Sequence, residues 1–376
     1  AKVCENYSRR FRIRFPNEEL PAARPLRTTP VYDVMKAHGA VMGDNWGLEQ
    51  PLWFAPQGVK DVFSFRRSTD FDHVAAECAA VREGVGLSET SAFAKYEITG
   101  PGAETWLSHM LANKMPREGR IVLTPMLNES GKLIGDFTLA KAGPETFYLF
   151  GAGSAEKYHM RWFEAHLPPQ IQDDDSVSIR PLGLSLVGLT VAGPKAREVL
   201  DKVTDEDVSN EAFRFMDFRQ MHLGVIPAMV GRISYTGDLG YEVWVAPEFQ
   251  RPLFDRLMEA GEEHGIRLFG IRALMSLRLE KNFGTWAREF RPLYGPYEAG
   301  LGRFVDLTKN AFIGRDGAMA EKENGSERRL VSMVVEAGDA DVIGDEPIWH
   351  KDEVVGWVTS GGYAHHARLS MAQGYI

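Results

Sequence analysis

Tyr235 and Glu242 lie seven positions apart in GRISYTGDLGYEVWV, Gly231 to Val245, and their types suit molecular recognition. Ile233 and Tyr235 alternate with Arg232 and Ser234, Thr236 to Gly240 turn the chain, and Tyr241, Val243 and Val245 then alternate with Glu242 and Trp244. Alternation on both sides of a glycine-containing turn predicts a β-hairpin. Across such a turn an aromatic plate and a carboxylate can meet over one small site. A flat heterocycle with two adjacent N–H donors suits that pair. One carboxylate accepts both hydrogen bonds while the ring stacks on the tyrosine, and a pterin is such a ligand. The same residues also fit a surface hairpin whose Tyr packs and whose Glu is solvated.

Other candidate chemistry is weaker. FYLFGAGSAEKYHMRWF reads as a strand, then Gly151 and Gly153, then a helix, with Asp173 to Asp175 about twenty residues on, which imitates a dinucleotide fingerprint. Glu156 occupies the third glycine position, where bulk and charge oppose both close packing and a pyrophosphate, and Pro168, Pro169 and Gln170 precede the acidic run. A plain strand-to-helix turn is the better reading. GIRALMSLRLEKNF predicts a helix carrying Arg272 and Arg278 six positions apart and so not on one face. Either arginine could hold a polyanionic tail or be solvated or salt-bridged. His365 and His366 are adjacent, which on a strand sends their rings to opposite faces, and no metal-ligating His or Cys spacing completes a site. No metal is expected. A Gly-x-Ser-x-Gly elbow and a phosphate-cradling glycine loop are also missing.

The elements that must position these residues begin with an arm. RRFRIRFPNEELPAARPLRTTPVYD alternates Arg with Phe and Ile as a short strand would, then runs through four prolines as a connector. From Val31 to Phe54 a short helical pattern leads into NWGLEQPLWF, aromatic-rich and expected to line a cleft or pack domains together. YEITGPGAETWLSHML and GLTVAGPKAREVLDKV repeat one pattern of strand, Gly-Pro and helix 93 residues apart, which suggests two related α/β lobes or a coincidence of Pro at helix starts. IVLTPMLNESGKLIGDFTLAK reads as a hairpin turning at Asn128 to Gly131. From Ser332 onward SMVVEAG, DEPIWH and EVVGWVTSGGY are short strands of a small terminal β-barrel.

Composition sets limits. The 376 residues predict two or three domains, 44% hydrophobic and 25% charged content is ordinary for a globular protein, and the net charge of −9 opposes a nucleic-acid surface. Cys4 and Cys78 make no disulfide framework, no apolar run approaches a membrane span, and the basic N-terminus lacks the apolar core of a signal peptide. The expected location is cytoplasmic, or an organelle matrix such as that of the mitochondrion, with no membrane partner.

SYTGDLGYEVWV, LRLEKNF, PYEAGLGRFVDLTKNAFIGRDG and VTSGGYAHHARLSMAQGYI together resemble the glycine cleavage T-protein (aminomethyltransferase) superfamily. The arm and WGLEQPLWFAP extend the likeness, over nearly the whole chain, to the folate-binding C-terminal half of dimethylglycine and sarcosine dehydrogenases. The resemblance implies an α+β, three-domain cloverleaf with two related α/β lobes and a C-terminal β-barrel. The corresponding boundaries are residues 1–30 for the connector arm, 31–290 for the two interleaved lobes and 291–376 for a truncated barrel domain. It implies tetrahydrofolate as the cofactor, taking a one-carbon unit from formaldehyde or an iminium to give 5,10-methylenetetrahydrofolate. Tyr235 and Glu242 match the positions that hold the pterin.

Three departures from the family pattern follow. In LANKM, Asn113 is kept but Lys114 stands where T-proteins carry aspartate, which fits the dehydrogenase branch. The arginine of the T-protein phrase before the Arg-Leu-Glu of the helix is missing from Ala273-Leu274-Met275, leaving Arg272 as a possible substitute. Nothing resembles the flavin domain that precedes this half in the dehydrogenases, so FAD is expected only on a separate domain or subunit, which would be the partner, and the chain is expected to be a fragment or an excised half. An enzyme of one-carbon transfer, a non-catalytic folate-binding module and a stand-alone folate-dependent demethylase or aminomethyltransferase all stay open.

Overall fold

The computed structural model describes residues 1–168 and 176–376. Asp173 to Asp175, with Pro169 and Gln170, lie outside the described residues. Two sheets form the body. The first has the order β5-β6-β7-β4-β8, from Arg120–Leu127, Leu133–Gly143, Thr146–Gly151, Ala94–Thr99 and Ser178–Pro181. The second runs β10-β11-β12-β9-β3-β13, from Phe218–Leu223, Ile226–Gly231, Gly240–Val245, Val187–Ala192, Gly86–Glu89 and Arg267–Leu268.

The sequence repeat is a structural repeat. β4 and β9 each end in Gly-Pro and lead through a helix, Ala103–Met110 or Ala196–Asp201, into a hairpin, β5-β6 or β10-β11, and then into the strand that pairs back on the first, β7 or β12. Gly100 and Gly193 both have positive φ, 115° and 129°, and a Cβ on either would sit 2.4 Å from a backbone oxygen, of Ser176 or Gly84. Only glycine fits there without displacing backbone, which explains why both copies keep it.

Each sheet buries one face under its own helices. β12 sends Tyr241, Val243 and Val245 into a core with Leu253, Phe254 and Leu257 of helix Pro247–Gly261, while Ile98, Leu139 and Leu149 meet Trp106, Leu107 and Phe163 in the other lobe. The remaining faces meet each other through Ile121, Ala140, Phe150, Leu182, Phe218 and Trp244, with Phe150 stacked on Trp244 at 4.9 Å between ring centroids. Strand alternation therefore puts Glu242, the neighbour of Tyr241 and Val243, on the inter-sheet side.

A third sheet of order β14-β17-β16-β15, from Leu330–Val335, Leu369–Tyr375, Glu353–Ala364 and Pro347–His350, is antiparallel throughout and packs Tyr375 on Tyr294 with centroids 3.8 Å apart. It is the expected barrel-type terminal domain, with the described strands forming an open ladder and no closed barrel.

Several local expectations are corrected. The arm begins as a helix, Lys2–Ser8, and residues 9–14 form no strand, because Arg9, Arg12 and Glu18 are drawn into a local ion cluster. The cleft-lining expectation for NWGLEQPLWF is unaffected, since Asn45, Trp46, Gln50 and Leu52 line a cavity; the segment supplies the turn and second strand of an antiparallel pair, β1 (Ala40–Asn45) with β2 (Leu48–Phe54), turning at Trp46 and Gly47, both at positive φ. His365 and His366 follow the end of β16 at Ala364 and lie in the turn to β17, where the backbone N–H of His366 donates to Glu280 at 2.9 Å.

Candidate functional site

At the margin of the inter-sheet core opens a cavity of about 1200 Å³. Phe150, Ile233 and Met216 from that core line it, and so do Trp46 at the tip of the β1-β2 pair, residues 282–286 and residues of the third sheet. The cavity thus lies where all three sheets contribute.

Glu242 lines it from β12. Its row across the second sheet is Gly231, Glu242, Thr190 and Ser88, and the last three all face the cavity. No hydrogen-bond or ion-pair partner satisfies the Glu242 carboxylate among the described residues, and burial alone pushes its pKa up to about 7. The residue is only half-buried because one side faces the open cavity. Desolvation opposes the charged form, and nothing nearby compensates it.

Tyr235 also lines the cavity, but not from a strand. β11 ends at Gly231, which pairs with Glu242, and residues 232–239 form a loop, so the expected strand at Arg232 to Tyr235 is absent. Hydroxyls divert the backbone: Ser234 Oγ and Thr236 Oγ1 bond at 2.7 Å, and the Thr236 N–H donates to Ser234 Oγ at 3.2 Å. Arg82 pins the loop through the Thr236 carbonyl at 2.9 Å and an ion pair with Asp238. The Tyr235 hydroxyl donates to the Gly284 carbonyl at 2.6 Å, its ring stacks on Phe283 at 6.0 Å, and burial raises its pKa. Tyr235 and Glu242 therefore do share one cavity, by loop and strand instead of by a tight hairpin.

Sequence reasoning missed Asp136. β6 places it on the inter-sheet face with Thr138 and Ala140, where it lines the cavity without a side-chain partner among the described residues. Burial, with a smaller contribution from the charge of Glu289, outweighs a hydrogen bond from its own backbone N–H and pushes its pKa up to about 7. The available signal was an acid inside the apolar strand LIGDFTLA, which by alternation alone reads as solvent-facing. Trp286 was missed too; it lines the cavity from the segment after helix Ile271–Leu279.

Asn113 and Arg272 do not line the cavity. Asn113 sits behind its wall, donating from Nδ2 to the Leu123 carbonyl at 2.7 Å and accepting from the Lys114 N–H at 2.8 Å. Lys114 is exposed. Arg272 spends its guanidinium on Asp61, at 3.0 and 2.9 Å, and on Asp70 at 2.8 Å, beside the ring of Trp53. Both Nη groups are occupied and only the buried Nε is left without a partner, so in this arrangement Arg272 offers the cavity no free donor pair. An open groove lined by Arg117, Arg120 and Arg214 adjoins the cavity, with Phe215 lining both.

Among the described residues, no helix is long and apolar enough to cross a membrane and no cluster of three or more His, Cys, Asp or Glu could hold a metal. The arrangement can hold a flat polar heterocycle by its donor edge, and it keeps two carboxyl groups near the midpoint of their titration at neutral pH.

Residues 31–309 match the profile of the GCVT N-terminal domain, and residues 328–376 that of the glycine cleavage T-protein C-terminal barrel domain. Mitochondrial dimethylglycine dehydrogenase of Mus musculus is 37% identical over 380 residues, spanning 100% of this chain and 43% of that protein. An aminomethyltransferase of Desulfitobacterium hafniense is 27% identical over 93% of this chain and 90% of its own length. The crystal structure of the glycine cleavage system aminomethyltransferase T from Bartonella henselae superposes with a TM-score of 0.79 at 22% identity, over 93% of this chain and 90% of that one. The chain spans less than half the length of the dimethylglycine dehydrogenases it matches.

Proposed function

The chain belongs to the glycine cleavage T-protein family, and from that premise we propose that its cavity binds tetrahydrofolate for one-carbon transfer. The observation that carries the proposal is the pair of carboxyl groups, Glu242 and Asp136, that have no side-chain partner among the described residues and line one cavity beside stacked aromatic rings. Such groups are costly unless a ligand satisfies them. Tetrahydrofolate fits them: a two-donor edge for one carboxylate, a ring for an aromatic plate, and a volume well within the cavity.

When bound, tetrahydrofolate supplies two nucleophilic ring and bridge nitrogens that take up a one-carbon unit at the oxidation level of formaldehyde. Glu242 accepts the donor edge and so fixes the orientation of the ring. Tyr235, tethered at Gly284, supplies the plate, while Phe283 and Trp286 exclude water. Asp136, with a pKa of about 7, is suited to take and return a proton at its carboxylate oxygens at neutral pH. The one-carbon source is formaldehyde or an iminium released by oxidation of an N-methyl amine such as dimethylglycine or sarcosine. A flavin-containing domain or subunit, in the cytoplasm or the mitochondrial matrix, performs that oxidation; the length of the dehydrogenase relatives supports it.

The non-catalytic alternative, a module that merely holds folate where formaldehyde emerges, leaves Asp136 without a task. Stopped-flow formation of 5,10-methylenetetrahydrofolate from supplied formaldehyde separates the two. Acceleration over the free reaction that is lost in Asp136→Asn supports the enzyme; binding without acceleration supports the module.

A further inference from the structure

Arg278, 4% exposed, holds four partners. Its Nη1 donates to the Phe283 carbonyl at 2.9 Å, to Glu289 Oε2 at 3.2 Å and to Gln373 Oε1 at 2.8 Å, and its Nη2 donates to Ser360 Oγ at 2.7 Å. Glu289 is fully buried and uses both oxygens: Oε2 accepts the Thr285 N–H at 2.9 Å and Oε1 accepts the Thr359 hydroxyl at 2.7 Å. The Tyr375 hydroxyl donates to the Glu289 carbonyl at 2.7 Å. Strap 282–290 is thereby fastened to β16 at Thr359 and Ser360 and to β17 at Gln373 and Tyr375.

The same strap forms a wall of the cavity through Phe283, Gly284, Thr285 and Trp286. Gly284 is the residue whose carbonyl accepts the Tyr235 hydroxyl at 2.6 Å. A Cβ at Gly284 would lie 2.4 Å from the Phe290 ring, so the strap packs against that ring with no room for a side chain. A buried ion pair adds little net stability, because desolvation offsets most of the attraction. What this one supplies is a fixed geometry, with Arg278 and Glu289 each tying the strap to a sheet that bears neither Glu242 nor Asp136.

We propose that the buried Arg278–Glu289 pair is a positioning device, through which the C-terminal sheet and strap 282–290 set the place of the Tyr235 ring in the ligand cavity. The proposal rests on the tetrahydrofolate reading of that cavity. Neither residue lines the cavity; both act on it through Gly284 and Tyr235, and Glu289 in addition only through the smaller effect of its charge on Asp136.

A double-mutant cycle tests it, with calorimetric titration of 5-formyltetrahydrofolate into wild type, Tyr235→Phe, Glu289→Gln and the double variant, alongside thermal melts. Each single change should weaken binding about tenfold, as loss of a buried hydrogen bond does. The double variant should bind no more than about threefold more weakly than the weaker single, because both remove one tether. Independent effects multiplying to about a hundredfold, or unchanged binding in Glu289→Gln, overturn the proposal and mark the pair as structural. Where Glu289→Gln does not fold, Thr359→Val, which removes one hydrogen bond from the same carboxylate, takes its place in the cycle under the same criteria. Failure of the wild type to bind the folate overturns the functional reading and this proposal with it, whereas binding with additive effects overturns this proposal alone.

Discussion

Replacing Glu242 with Gln should stabilise the ligand-free protein while disabling its site. The carboxyl normally titrates at 4.5 and is held at about 7 by burial, an interval that corresponds to about 3 kcal/mol against the ionised form. The sign follows from proton linkage. Between those two values the native state binds more protons than the unfolded chain, so stability falls as pH rises through that window and levels off above about 7. A glutamine keeps the shape and never ionises. Urea unfolding should show Glu242→Gln more stable than wild type by about 2–3 kcal/mol at pH 8 and by well under about 1 kcal/mol at pH 4.5. Equal or lower stability of the variant at pH 8, or a gain that does not change with pH, would refute the reasoning that the carboxylate lacks a partner.

Asp136→Asn should leave folate affinity within about threefold yet slow methylenetetrahydrofolate formation about a hundredfold, and the wild-type rate should titrate near pH 7, as stopped-flow across pH would reveal. Arg272→Met strands Asp61 and Asp70 and should cost about 3–5 kcal/mol in urea unfolding, with folate affinity of the folded protein unchanged. A large loss of affinity would restore Arg272 to the site. Lys114→Met should leave the rate within about tenfold of wild type, because Lys114 is exposed and outside the cavity wall; a hundredfold drop at constant affinity would make it the catalytic group.

What could be read from the chain were the features that rest on local spacing. The two Gly-Pro motifs are local, so the duplicated lobes followed from the sequence, whereas the alternation in YEVWV sets Glu242 apart from Tyr241, Val243 and Val245 without saying what its face meets. Tyr235 reached the cavity by another route than expected, since side-chain hydroxyls at Ser234 and Thr236 compete with strand pairing and periodicity does not register them. Asp136 was illegible because its face is decided by another sheet. An acid at an alternating position normally meets water, and here it meets the second lobe. Arg272 lies away from the cavity for a related reason. A helix pattern gives its face but not its partners, and Asp61 and Asp70 lie on the other side of the lobe sequence, 211 and 202 positions away.

In the proposed function the Glu242 carboxylate holds tetrahydrofolate in the cavity. Calorimetric titration of tetrahydrofolate into wild type and Glu242→Ala tests it most directly. Saturable binding to wild type is expected, weakened in the variant by about 1.5–3 kcal/mol, as a lost charge-assisted hydrogen bond requires. Equal affinity in the two proteins, or no binding to wild type, would contradict it.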